Sequence, residues 1–161
     1  MTNDIAIRPA TTDDAQRISE LITTLSREHI ACDLSPEGSE RLLSSMSADS
    51  IRSFINSGFR YFVAEMGGTI AGVVATRHDQ HLYHLFVDNP FQRQGLARRL
   101  WQVAHAACVS ASGARVFTVN SSRNAVAVYE RFGFVRHGEP QNVGGVIFIT
   151  MKLSAPSDDG S

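Results

Sequence analysis

The chain has 161 residues, 43% of them apolar and 19% charged, with a formal net charge of −1. That length suits one domain with a full hydrophobic core, and the charge balance gives no basic field for nucleic acid. No apolar run reaches membrane-spanning length, and no charged start followed by a long apolar stretch marks a secretory leader.

The first element is an alternating segment, residues 4–9, read as an edge strand that Pro9 ends. Thr12 then serves as a helix N-cap before Asp13 and Asp14, acidic residues suited to a first turn. Ile18, Leu21, Ile22 and Leu25 recur at helical spacing and give that helix one apolar face. Ala31 to Ser39 reads as a loop. Leu42, Leu43 and Met46 mark a short helix, and Ser47 caps another that carries Ile51, Phe54 and Ile55 and stops near Gly58. From Arg60 the period changes. Arg60 to Met66 and Thr69 to Thr76 form a hairpin around Gly67-Gly68, and His81 to Val87 is a third strand of that group.

A helix from Gln94 to about Ser112 follows, with Leu96, Leu100, Val103, Ala104 and Ala107 inward and Gly113 at its end. Arg115 to Val119 is a strand. Ser121 or Ser122 caps a helix ending at Phe132, with Gly133 just past it. The last strand is Val146 to Leu153, after the turn Gly144-Gly145. Residues 1–153 are thus expected to be one domain, and the small, polar segment Ser154 to Ser161 a disordered tail. The order gives a mixed α/β domain with one central sheet, in which the strands at 81–87 and 115–119 run parallel around a helical crossover.

Cys32 and Cys108 have no metal-like spacing and point to a reducing, cytoplasmic setting; Cys108, on an Ala- and Val-rich helix, reads as a buried structural thiol. The six histidines form no HExxH-type ligand set, so no metal is expected.

The most informative segment is Val87-Asp88-Asn89-Pro90-Phe91-Gln92-Arg93-Gln94-Gly95-Leu96-Ala97-Arg98-Arg99. A strand runs through a polar turn into a helix whose first N–H groups lack intrahelical partners and sit at the positive dipole end. That is a device for holding an anion. Gly95 permits close backbone approach, Ala97 avoids crowding, and Arg93, Arg98 and Arg99 add charge suited to phosphate oxygens.

Gln92 to Ala97 resembles the Gln/Arg-x-x-Gly-x-Gly/Ala signature of the GCN5-related N-acetyltransferases. Asn124, Ala127, Tyr129 and Gly133-Phe134, within the stretch from Asn120, resemble a second element of that family, and the order of elements matches from Ile5 to Leu153. The resemblance implies a mostly antiparallel mixed sheet of about six or seven strands flanked by about four helices, splayed between the strands at 81–87 and 115–119. It implies acetyl-coenzyme A as co-substrate, its pantetheine pairing with the backbone of Leu85, Phe86 and Val87. Its pyrophosphate would lie on the N–H groups of residues 93–98. Gln92, Arg93, Gln94, Gly95, Leu96, Ala97, Arg98, Arg99, Asn120 and Asn124 complete the expected cofactor set.

Acyl transfer to an amine needs a proton acceptor for the amine, donors for the carbonyl oxygen and an acid for the departing thiolate. On the resemblance Tyr129 is the expected acid. The base is His81, His84 or water, with His81 preferred on the resemblance, because counted back from Val87 it falls where several members of that family place a catalytic Glu or His. On simple alternation His81, Tyr83, Leu85 and Val87 share one face and Leu82, His84 and Phe86 the other. A bulge near Phe86 or Val87 would free a backbone N–H for the carbonyl oxygen. Glu65 and Glu28 read as solvated charges that could attract an amine, and Phe54 and Phe59 as core or pocket wall. The expected activity is acetyl transfer to a primary amine of a small molecule or peptide, by a monomer or homodimer acting without nucleic acid or membrane. The alternative is a catalytically silent domain of the same fold that senses acyl-coenzyme A.

Overall fold

The structure is a computed structural model and describes residues 5–154. Asp4 and residues 155–161, which carry most of the expected tail, lie outside the described residues; Ser154 closes the last strand rather than opening a tail. Eight strands form the sheet in the order β1-β2-β3-β4-β5-β8-β6, with β7 paired to β8. Two short strands in the segment the sequence left unassigned, β6 (Val135–Arg136) and β7 (Gln141–Val143), raise the number to eight.

β1 (Ala6–Pro9), β2 (Arg60–Met66), β3 (Thr69–Arg77) and β4 (His81–Val87) make a continuous antiparallel ladder. β4 then pairs in parallel with β5 (Val116–Ser121), and β5 pairs antiparallel with β8 (Val146–Ser154). Helix α4 (Leu96–Ser112) is the crossover between β4 and β5. Its inward residues, including Leu100 and Ala104, are fully buried with Val74, Leu82 and Phe117. Burying one such leucine contributes about 2 kcal/mol, which fixes this helix under the middle of the sheet.

Helices α1 (Ala15–His29) and α3 (Ala48–Asn56) cover the opposite face of β1–β4 with Ile18, Ile22 and Ile51. α1 starts later than a cap at Thr12 would place it. A single 3-10 turn, Thr12–Asp14, precedes it, and Asp14 accepts the N–H of Thr11, so the cap lies one residue before Thr12. The expected loop at 31–39 is a 3-10 turn, Ala31–Asp33, followed by helix α2 (Pro36–Ser44), which Ser35 caps by accepting the Gly38 N–H. Proline at the first helical position needs no N–H there, so Pro36 opens this helix rather than breaking it.

Gly38 packs directly on the β7–β8 turn. A Cβ at Gly38 would lie 2.0 Å from the Gly145 carbonyl oxygen, so only glycine allows this approach. Helix α5 (Val126–Arg131) is preceded by a 3-10 turn at Arg123–Ala125 and followed by Gly133 at φ 102°. Cys108 is buried and Cys32 exposed, and both are free thiols.

Candidate functional site

The site begins where a strand pair stops. β4 and β5 are in register only at His81–Thr118 and Leu82–Val119. β4 continues to Val87 and β5 to Ser121, so five residues of β4 run on with no β5 partner. The twist that separates them leaves one backbone edge of β4 facing a gap.

Alternation decides which groups face that gap. The Asp88 N–H donates to Ala71 on the β3 side at 2.8 Å. Phe86 and His84 therefore also direct their backbone groups at β3, and Leu85 and Val87 direct theirs into the gap. The Phe86 carbonyl oxygen accordingly lies 3.0 Å from where a Cβ of Gly72 on β3 would be. The expected backbone trio narrows to Leu85 and Val87. The Val87 carbonyl already accepts the Gln92 side-chain amide at 2.8 Å.

The open end of the gap meets the start of α4. Gly95 is its N-cap with φ 79°, and Arg93 has φ 64°. Both fold the turn back, and the Phe91 and Gln92 N–H groups before them are taken by the Asp88 and Asn89 carbonyls. The first return to a helical carbonyl is the Arg99 N–H to Gly95, at 3.1 Å. The preceding N–H groups, through Arg98, face outward as helix starts require. Nothing lies within 4 Å of a Cβ built on Gly95, so the turn is open above its amides. This cradle and the gap beside it fit a diphosphate with a narrow amide-bearing arm. Gln94 steadies the turn by donating to the Pro90 carbonyl at 3.1 Å.

The arginines divide. Arg93 is exposed on the turn. Arg98 donates to the Arg131 carbonyl at 3.1 Å and lies 5.2 Å from the Phe132 ring centroid. Arg99 donates to the Ile5 carbonyl at 3.2 Å. Two of the three guanidiniums expected to meet phosphate are thus committed to α5 and β1.

On the α4 side of the sheet, Tyr129 is buried against Phe132 and Phe134, with ring centroids 6.2 and 5.8 Å away. Burial pushes its phenol above the usual value, so the hydroxyl stays protonated. No hydrogen bond to that hydroxyl is found, and no fully buried side-chain oxygen or nitrogen among the described residues lacks a partner. The Tyr129 oxygen therefore touches solvent.

On the other side the strand register corrects the expected faces. Ala75 pairs with His84 and Thr76 with Leu82, which leaves Tyr83 as the extra residue of a β-bulge. The bulge lies at Tyr83, not at Phe86 or Val87. It shifts the parity, so Leu82 packs with Leu85 and Val87 on the α4 face, while Tyr83 and Phe86 pack with the α1–α3 face.

The two histidines differ. His84 is buried, with Nδ1 3.2 Å from the Tyr61 hydroxyl, and burial pulls its pKa down to about 3. Tyr61, Ala75 and His84 occupy one cross-strand row, and the small Ala75 lets the two polar ends meet. His81 is half-buried, with Nδ1 2.7 Å from Thr118 Oγ1. Burial, reinforced by Arg77, pulls it down to about 4. Its other nitrogen has no partner among the described residues. Neither Nε2 has a partner among the described residues, but of the two rings only that of His81 lies on a partly open surface.

The C-terminal end of α1 bridges the mouth of the gap. Asn124 donates to the His29 carbonyl. Asn89 donates to Glu28 at 2.9 Å, and its oxygen lies 3.4 Å from His29 Nε2. Glu28 is thus engaged beside the gap. Glu65 is held by Arg8 at 3.1 Å and by Arg17 at 3.4 Å, far from it. Asn120 accepts from Thr150 at 3.0 Å on the exposed face of β5. Thr118 and Tyr61, the partners of the two histidines, were not expected. Thr118 carried a signal in the alternation of Thr118 and Asn120 with Phe117 and Val119; Tyr61 carried none, because its partner is two strands away. No cluster that could hold a metal ion occurs among the described residues.

Known proteins share this architecture. Residues 30–155 match the acetyltransferase (GNAT) domain family. A mouse (Mus musculus) protein described as probable N-acetyltransferase family 8 member 5 is 29% identical over 103 residues, 57% of this chain; the chain spans 45% of that relative's length. A GCN5-related N-acetyltransferase from Rhodopseudomonas palustris superposes with a TM-score of 0.77 at 22% identity, covering 96% of this chain and 98% of the other. The PaiA N-acetyltransferase from Thermoplasma acidophilum, solved with coenzyme A, gives 0.74 at 16% identity, covering 94% and 99%.

Proposed function

The chain belongs to the acetyltransferase (GNAT) domain family, and on that premise we propose that it transfers an acetyl group from acetyl-coenzyme A directly to a primary amine of a small molecule or peptide. The observation that carries this is the strand pair that ends at Leu82–Val119 with the α4 amides at its open end. Leu85 and Val87 would hold the pantetheine amides, and the N–H groups of residues 93–98 the diphosphate, with Arg93 beside them. Bound there, acetyl-coenzyme A supplies an activated acyl carbon and a thiolate leaving group.

The two faces of the gap divide the proton work. His81, neutral well below neutral pH, accepts the amine proton at Nε2 when Nδ1–H donates to Thr118 Oγ1. Its low basicity makes it a relay to solvent rather than a strong base. Tyr129, kept protonated by burial, donates from the opposite face. An amine arriving on one side and a thiolate protonated on the other keep the two transfers apart.

Tyr129→Phe tests the assignment. The expected result is about a hundred-fold fall in kcat, with acetyl-coenzyme A affinity by calorimetry unchanged. Full turnover in this variant would remove Tyr129 as the acid. Wild-type protein that binds acetyl-coenzyme A yet releases no free thiol with any amine would favour the silent sensing domain instead.

A further inference from the structure

Beyond the gap the sheet meets α2 at the Gly144-Gly145 turn, and farther along β5 and β8 one face is open toward Asn120 and Lys152. Along β5 and β8 the buried positions are Phe117, Val119, Ser121, Ile149 and Met151, all turned to the α4–α5 side. The intervening positions form cross-strand rows on the other side: Thr118 opposite Lys152, and Asn120 opposite Thr150. Lys152 and Asn120 are exposed, and Thr118 and Thr150 half-exposed. α1 and α3, which cover this side of β2–β4, do not reach here.

His81 belongs to the same surface, because its ring bonds Thr118. One row across three strands therefore reads His81, Thr118, Lys152. Lys152 is the one lysine of the chain, and its ammonium makes no ion pair among the described residues. It stands two strands from His81, about 10 Å across the sheet. On the near side of His81 lies an aromatic cluster. Tyr83 meets Phe54 and Phe59 edge-on, both at 5.3 Å between centroids, and those two stack at 4.7 Å. All three are half-buried, and the Arg77 guanidinium lies 6.0 Å from the Tyr83 centroid. Tyr83 lies two residues beyond His81 on β4 and packs on the same side.

We infer that the acceptor is an α-amino acid with an aromatic or large apolar side chain, laid across this face with its amine at His81, its carboxylate on Lys152 and its side chain against Tyr83. This rests on the acetyl-transfer reading and gives it a substrate class. An ammonium donor matches a carboxylate, a half-open aromatic edge matches an apolar group, and the nitrogen between them is the one that loses a proton. A polycationic amine would instead place its second charge against Lys152.

The test compares L-phenylalanine with phenethylamine, the same amine without its carboxylate. Wild-type enzyme is expected to show a kcat/KM about ten- to a hundred-fold higher for the amino acid. Lys152→Met should raise KM for L-phenylalanine by that factor, with kcat and the values for phenethylamine unchanged; Lys152→Arg should retain most of the preference. Calorimetry with N-acetyl-L-phenylalanine and N-acetylphenethylamine reads the same contact without turnover. Equal use of both acceptors by the wild type, or equal loss with both in Lys152→Met, overturns the inference. So does failure of either amino-acid compound to bind while acetyl-coenzyme A still binds, and that outcome leaves acetyl transfer to another amine standing. Loss of acetyl-coenzyme A binding itself would instead sink the transfer reading.

Discussion

β3 and β5 show how differently the two halves of one sheet are built. β3 is buried at every position from Ile70 to Thr76, packed by α4 on one side and by α1 and α3 on the other. β5 is buried only at Phe117, Val119 and Ser121, with the alternate positions facing outward. Polar groups follow the same division, with the exception of Ser121, buried on β5 and donating to the Ser122 carbonyl. Asp14, Ser19, Ser26, Thr76 and His84 are buried in the β1–β4 half or in the helices covering it, each with a partner, while Asn120, Thr150 and Lys152 lie open on the other half. The first half is a two-sided scaffold that fixes the edge of β4. The second is a one-sided sheet whose free face is available to a ligand. The gap falls at the boundary, where continuous helical cover ends.

If that contrast is right, substitutions of buried polar groups in the first half should act on stability. The largest effect is expected for Asp14→Ala. Asp14 is paired with Arg8 and Arg17, both at 2.9 Å, and the hydrogen-bonded Arg8 holds its carboxyl well below the usual range. Removing it leaves the Thr11 N–H without its acceptor and each guanidinium with Glu65 as its remaining carboxylate, at a cost of about 2 to 3 kcal/mol. Urea unfolding would read this, and a loss under about 1 kcal/mol would show that the network is ornamental.

A smaller effect, residue for residue, should come from acid. His84 and His81 have pKa values lowered by burial, to about 3 and about 4. Above pH 6.5 neither the folded nor the unfolded histidine is charged, so no difference arises. Below it the unfolded chain binds protons that the folded one refuses, and stability falls with pH until the folded pKa is reached. At pH 5 the loss is about 2 kcal/mol per histidine. Unfolding free energies at pH 7 and pH 5 test this, and His84→Gln should roughly halve the difference. An unchanged slope in that variant would place the acid sensitivity elsewhere.

The smallest effect is expected on the open face. Thr150→Val removes the exposed bond to Asn120 and should shift stability by less than about 0.5 kcal/mol. A loss above about 1.5 kcal/mol would mean that this face is covered in solution.

Much of the scaffold was legible along the chain. The Gly67-Gly68 hairpin, the Ser47 cap and the Gly113 stop all depend on local conformational preference, and each stands where the residues put it. The α4 start was legible too, because Gly95 and the arginine-rich first turn are neighbours in sequence. The faces of β4 were not. One extra residue at Tyr83 reverses the parity, and the reason lies in register against β3, which no reading of β4 alone contains. The commitments of Arg98 and Arg99 were equally hidden, since their acceptors, Arg131 and Ile5, are 33 and 94 residues away.

The sequence by itself determined the order of elements, the family and the amide-rich turn after Pro90, because periodicity, caps and glycine conformations act over a few neighbouring residues. Only the tertiary structure decided that β4 parts from β5 after Leu82, that His81 is half-open while His84 is buried, and that Lys152 shares the row of His81. Those outcomes depend on which strands lie side by side and where helical cover stops, and both are set by packing between segments far apart in the chain.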